Sequence, residues 1–196
     1  MVSQLSSSQK FMDVAWNQSY KNRDIPWQNK GADLSDILQR SKIQNGNALD
    51  LGCGTGEFSI WLSQHGFVVE GIDGSPEALK IASGNNSSVI WKLWDLEDFR
   101  DAPLQNEQYE LIIDIKVLPF IEDKRKYLSV VAEKLSSSGA FVVISFLHHK
   151  AKPEIAIDEK ELDLLLGEFF IFQKNTREFS DSLIAEYICS KLVKVE

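Results

Sequence analysis

The sequence predicts an α/β fold: a seven-stranded, mostly parallel sheet with helices on both faces and an antiparallel strand pair at its C-terminal end. From Asn45 to Leu147, short apolar runs alternate with segments of helical spacing, the pattern of a parallel sheet buried on both faces by its crossover helices. The first of these strands runs into a glycine-rich turn, Gly52-Cys53-Gly54-Thr55-Gly56. The last third abandons the alternation for two strand-like runs joined by a polar stretch too short for a crossover helix.

The elements follow in order. Ser6 to Ser8 reads as a disordered start or a helix cap, and Phe11 to Tyr20 as a helix with Phe11, Val14, Ala15 and Trp16 on one side. Tyr20 to Gly31 mixes Asn, Asp, Pro, Trp and Gly and reads as a structured loop. Ala32 to Lys42 is helical, with Leu34, Ile37 and Leu38 three and four apart. Ala48 to Leu51 is a strand, and Phe58, Trp61, Leu62 and His65 mark the helix after it. Phe67 to Ile72 is the second strand. Ser75-Pro76-Glu77 then starts a helix with a Ser cap, Pro in the first position and an acid in the first turn. Ser88 to Leu93 and Leu111 to Ile115 are strands. Tyr127, Leu128, Val131 and Leu135 mark an amphipathic helix, and Ala140 to Leu147 is the fifth strand. Asp158 and Glu161 resemble a capping box ahead of Leu162, Leu165 and Leu166. Phe169 to Gln173 and Ala185 to Val193 form the closing antiparallel pair.

The 196 residues fit one domain, and a chain this long buries roughly 70% of its unfolded surface without a staple. Hydrophobic and charged contents of 43% and 26% exclude disorder, collagen and coiled coil for most of the chain. A net charge of −8 opposes general affinity for nucleic acid or anionic membrane. Cys53 and Cys189, the only cysteines, have no metal or framework spacing, so neither a disulfide scaffold nor a metal is expected. Met1 to Tyr20 lacks the apolar core of a signal peptide, and no run approaches a membrane span. The expectation is a cytoplasmic, monomeric protein.

Glycine lets a backbone turn sharply and a ligand approach the main chain, and the following helix N-terminus offers free N–H groups. A dinucleotide fingerprint would need a third glycine at position 57, where Glu57 stands, and no GK[ST] follows to make a P-loop. The GxGxG form, with Asp50 two residues ahead of it, resembles the cofactor half of class I S-adenosylmethionine (SAM)-dependent methyltransferases, a Rossmann-like fold. The resemblance implies that Asp50, Gly52, Gly54, Thr55 and Gly56 surround the methionine part of SAM. It also implies that Asp73, 21 residues after Gly52 and followed by Gly74 and Ser75, accepts from the ribose hydroxyls. An ionised carboxylate, an acceptor-only group, suits a vicinal diol. Asp95 and Leu96 would meet the adenine, and Asp114 and Ile115 would lie under the sulfonium. One departure is Lys134 to Gly139, where the family has Lys-Pro-Gly-Gly; the single glycine is expected to make the turn.

Trp16-Asn17-Gln18-Ser19-Tyr20, then Pro26-Trp27, resembles the entry segment of thiopurine methyltransferase-like enzymes, a branch that includes thiol and halide methyltransferases. By that likeness Trp27 touches the cofactor while Trp16 and Tyr20 help close the pocket; aromatic faces attract a sulfonium and exclude water. Trp61, Trp91 and Trp94 read as core. Relatives often carry Asp-Arg-Gly where this chain has Asp114-Ile115-Lys116, which loses a planar donor fork and bears on substrate identity. Because SAM is already activated, in-line alignment and exclusion of water are the main requirements. Asp114, Lys116 and His148 are the candidate catalytic residues, with His149 beside them. The expected activity is methyl transfer to a small molecule, a thiol, thiopurine or similar soft nucleophile. The alternatives are a tellurite-resistance-type methyltransferase, a non-catalytic SAM-binding protein and, less favoured by Glu57, a nicotinamide oxidoreductase. The sequence divides into an N-terminal helical arm, 1–44, that caps the cofactor site, and a SAM-binding core, 45–196.

Overall fold

The structure, a computed structural model, describes residues 7–23, 34–85, 88–150, 152–179 and 181–192. The N-terminal helices are α1 (Ser7–Asn22) and α2 (Leu34–Ser41). The alternation then runs β1 (Gly46–Leu51), α3 (Glu57–Gln64), β2 (Phe67–Asp73), α4 (Pro76–Asn85), β3 (Ile90–Leu93), β4 (Tyr109–Ile115), α5 (Lys124–Lys134) and β5 (Leu135–His149). Helix α6 (Glu159–Gly167) and the strands β6 (Phe170–Phe179) and β7 (Ser182–Lys191) complete the described chain.

All seven strands belong to one sheet, ordered β3-β2-β1-β4-β5-β7-β6. The first five are parallel, and β7 runs antiparallel between β5 and β6. Period-two alternation divides the core between the two faces. Leu49, Ile112 and Val143 face α5 and α6 through Leu128, Val131 and Leu162. Ala48, Leu111, Ile113 and Val142 face the other way, with Ile37 of α2 and Leu62 of α3. Glu186 of β7 is buried between the guanidinium groups of Arg40 on α2 (2.8 Å) and Arg177 on β6 (2.7 Å), which pair the charge that burial would otherwise leave isolated.

Local signals act as expected at two helix starts. Ser75 Oγ accepts from the Ala78 N–H ahead of Pro76, and the Asp158 carboxylate accepts from the Glu161 N–H to cap α6. The structure differs at three places. Leu135 leaves the helix because it pairs with Tyr109 in the sheet. Ala140 pairs with Leu111, so Ser136 to Gly139 form a bulge within β5 and not a turn ahead of it. A Cβ on Gly139 would lie 3.0 Å from the Glu110 carbonyl oxygen, a close approach that favours glycine there. The polar stretch after Gln173 is strand: β6 and β7 form one long hairpin in which Phe179 pairs with Ser182. An edge strand with one wet face carries polar residues and escapes an apolar pattern. Trp27 and most of the expected loop lie outside the described residues.

Candidate functional site

The strand order reverses between β1 and β4, and ligands of such sheets bind beyond the strand C-termini at that point. A cavity of about 630 Å³ lies there. Gly52, Asp73, Gly74, Ser75, Asp95 and Leu96 border it from the ends of β1, β2 and β3. Ile115, Lys116, Phe146 and His149 border it from β4 and β5, and Trp16 and Tyr20 from α1.

Gly52 and Gly56 have φ of +68° and +81°, the left-handed region where a side chain is strained. Both also abut the protein itself. A Cβ on Gly52 would fall 2.3 Å from Val117, and one on Gly56 would fall 2.4 Å from the Trp91 ring. Gly54 faces the Tyr20 hydroxyl in the same way. Gly54, Thr55 and Gly56 do not border the cavity, whereas Gly52 does.

Each acid of this loop system has a defined setting. Asp73 ends β2, buried: its Oδ2 accepts from the Gly54 N–H (2.8 Å) and its Oδ1 from the Ser75 N–H (2.7 Å). A carboxylate is an acceptor-only group, the type that suits a ligand's hydroxyls. Asp95 Oδ1 accepts from the Glu97 N–H (2.9 Å) and starts a 3-10 turn, Leu96–Asp101. Among the described residues Asp95 Oδ2 is buried without a hydrogen-bond partner, an acceptor that calls for a donor. An amino group such as that of adenine fits it, and Asp73 fits a diol, so the residues present suit an adenosine-bearing cofactor.

Asp50 and Asp114 do not border the cavity. Asp50 is buried, accepts from Ser59 Oγ (2.6 Å), and is pushed up to about 7, chiefly by burial. Asp114 accepts from the Tyr127 hydroxyl (2.8 Å) and from the N–H groups of Val117 and Leu118, which shape the turn after β4. Burial raises it to about 6, against the lowering effect of those donors. Cys53 packs under the loop, and burial lifts its thiol well above the usual range.

The other end of the cavity is aromatic and cationic. Trp16 packs edge-on against Phe120 with centroids 4.9 Å apart. Lys116 has φ +67°, a conformation costing a lysine about 1–3 kcal/mol. Its ammonium lies 5.0 Å from the Phe146 ring centroid. His148 is exposed and does not border the cavity; His149 does. The reason is a register shift between Phe146 and His148, which breaks the alternation and puts Phe146 and His149 on the same side. His149 Nδ1 accepts from the Lys152 N–H (3.1 Å). Phe120, Phe146 and Lys152 also border the cavity, and no motif in the sequence singles them out. The bulge that selects among the last two β5 positions leaves no residue signature.

Residues 42–177 match the family of methyltransferase domains, more than half of the chain. Norajmaline N-methyltransferase of Rauvolfia serpentina is 27% identical over 123 residues, covering 59% of this chain and 42% of that protein. A ubiquinone biosynthesis O-methyltransferase of Rickettsia bellii is 25% identical over 161 residues, 76% of this chain and 62% of that one. The chain thus spans about two fifths of the norajmaline enzyme. The crystal structure of Burkholderia thailandensis 1,6-didemethyltoxoflavin-N1-methyltransferase, with bound 1,6-didemethyltoxoflavin and S-adenosylhomocysteine, is similar with a TM-score of 0.73 at 16% identity. That likeness, one of fold, covers 98% of this chain and 94% of that one. With the seven-stranded fold of SAM-dependent methyltransferases and the glycine loop after its first strand, the chain belongs to the methyltransferase-domain family.

Proposed function

We propose that the protein transfers a methyl group from SAM to a small molecule, with a thiol, thiopurine or similar soft nucleophile as acceptor. The observation that carries the cofactor half is that Asp73 and Asp95 border one cavity, and that Asp95 Oδ2 is buried with no hydrogen-bond partner among the described residues. Bound SAM supplies the methyl group on a sulfonium that needs no further activation. The protein's residues hold and shield the reactants. Asp73 accepts from the ribose and Asp95 from the adenine amino group. Trp16, Phe120 and Phe146 form walls that exclude water and face a cation favourably.

The acceptor half rests on His149 and Lys116. With Nδ1 taken by the Lys152 N–H, a neutral His149 keeps its proton on Nε2 and is a donor, not a base. That favours an acceptor that ionises by itself, and the Lys116 ammonium beside Phe146 stabilises a thiolate electrostatically. A ring nitrogen is the second reading: its lone pair also needs no base, and the norajmaline and didemethyltoxoflavin enzymes are N-methyltransferases by name. The division into a capping arm, 1–44, and a core, 45–196, is part of this proposal. It is supported by the cavity-lining residues of α1 and by a family match that begins at residue 42. So are a cytoplasmic location, a monomeric state and indifference to nucleic acid, the last supported by the net charge of −8. Among the described residues no helix is long and apolar enough to cross a membrane.

Incubation with SAM and a panel of aromatic thiols, thiopurines, ring nitrogens and phenols tests the acceptor. Thiols are expected to be methylated, at a rate rising with pH through each thiol's own pKa. Turnover confined to phenols or ring nitrogens would overturn the thiol reading.

A further inference from the structure

Asn17 of α1 and the start of α4 are joined across 58 residues of sequence. Asn17 Oδ1 accepts from the Ser75 hydroxyl (2.8 Å) and from the Glu77 N–H (3.1 Å). Glu77 N–H is one of the free donors of the first turn of α4, so Asn17 caps that helix from another element. Ser75 also donates its own N–H to Asp73 Oδ1 (2.7 Å). A continuous polar chain therefore runs from α1 through Ser75 to the carboxylate placed to hold the ribose. On the same stretch of α1, Ala15, Trp16, Ser19 and Tyr20 border the cavity. Tyr20 is buried, and Trp16 is pinned against Phe120.

We propose that Asn17 is a cofactor-positioning residue: its cap on α4 seats α1 against the cavity and fixes the turn that presents Asp73, so that cofactor binding and α1 seating stabilise each other. The proposal rests on the SAM reading above and adds a residue to it. Asn17 need not touch the cofactor. Any ligand that contacts α1 and Asp73 together favours the seated state, and by linkage a weaker cap lowers its affinity. Both bonds at Asn17 are accepted by Oδ1, so an aspartate can replace it, and the added charge suits a helix N-terminus.

The test titrates S-adenosylhomocysteine calorimetrically into the wild type, Asn17→Ala and Asn17→Asp. Denaturant unfolding of the free proteins and hydrogen exchange of the α1 amides, with and without ligand, accompany it. Asn17→Ala is expected to weaken binding about tenfold, the loss of one cap, with faster ligand release. Asn17→Asp is expected to stay within about threefold of wild type. In the wild type the ligand is expected to slow exchange in α1, and Asn17→Ala to lose most of that protection. Equal affinity in wild type and Asn17→Ala would overturn the proposal, whatever the change in unfolding. So would an Asn17→Asp variant as weak as Asn17→Ala. A wild type that binds no S-adenosylhomocysteine would overturn the cofactor reading itself, and this proposal with it.

Discussion

Replacing Gly56 with alanine separates what the glycine loop does for the fold from what it does for a ligand. The residue sits at φ +81°, and an L side chain in the left-handed region costs roughly 1–2 kcal/mol. The added Cβ would also lie 2.4 Å from the Trp91 ring and 3.0 Å from the Ala82 Cβ. Overpacking of that kind costs about 1–3 kcal/mol. Together the two effects come to about 2–5 kcal/mol. Trp91 is itself confined, because a Cβ on Gly71 would approach the same ring to 2.9 Å. Trp91→Phe removes the part of the ring that meets position 56. In the double variant the backbone cost and the Ala82 contact should therefore remain while the clash with the Trp91 ring disappears. Urea unfolding of the wild type, both single variants and the double variant closes the cycle. The expected coupling between positions 56 and 91 is favourable, about 1–3 kcal/mol. Because Gly56 does not border the cavity, the folded fraction of Gly56→Ala should bind S-adenosylhomocysteine nearly as well as wild type. Additive effects within about 0.5 kcal/mol, or a neutral Gly56→Ala, would refute the steric argument.

Two further outcomes are expected. Asp95→Asn puts an amide donor in place of a carboxylate oxygen that is buried with no partner among the described residues, and should lower SAM affinity at least about tenfold with little change in unfolding; unchanged affinity in calorimetry would contradict the adenine assignment. The pH dependence of stability follows from Asp50, raised by burial from 3.8 to about 7. Its folded form binds a proton that the unfolded chain releases. That stabilisation, at most about 4 kcal/mol, is fully present below about pH 4 and lost as pH rises through about 7. Asp114, raised to about 6, acts in the same direction. Asp50→Asn should therefore flatten part of the decline in urea-unfolding stability between about pH 5 and 8, and an unchanged slope would contradict it.

The fold was legible because its signals are local. Ser75-Pro76 and Asp158 start helices whatever lies around them, and the apolar runs of β1, β2, β4 and β5 are buried where the alternation places them. The polar residues of β6 were not legible as strand, since edge position and not composition makes them so. Nor was the Ser136 to Gly139 bulge, which depends on where Leu135 and Ala140 find partners on β4. At the site, the resemblance to the methyltransferase family leads to Asp73 and Asp95, and both border the cavity, while their roles toward a ligand stay part of the proposal. The choice between His148 and His149 was not, because it turns on a one-residue shift against β7. Asp114 shows the same limit: the strand end predicts its place, but Tyr127, 13 residues on, takes its carboxylate away from the cavity. Asn17 carries no signal in its own neighbourhood, as its partners are 58 and 60 residues away.

The most direct measurement is calorimetric titration of SAM and S-adenosylhomocysteine into the wild type, Asp73→Asn and Asp73→Ala, with circular dichroism to verify folding. Saturable one-to-one binding of both ligands by the wild type is expected. The loss of two charge-assisted hydrogen bonds should weaken Asp73→Ala about a hundredfold or more. A folded wild type that binds neither ligand, or a folded Asp73→Ala that binds them undiminished, would contradict the assignment of this cavity as the cofactor site.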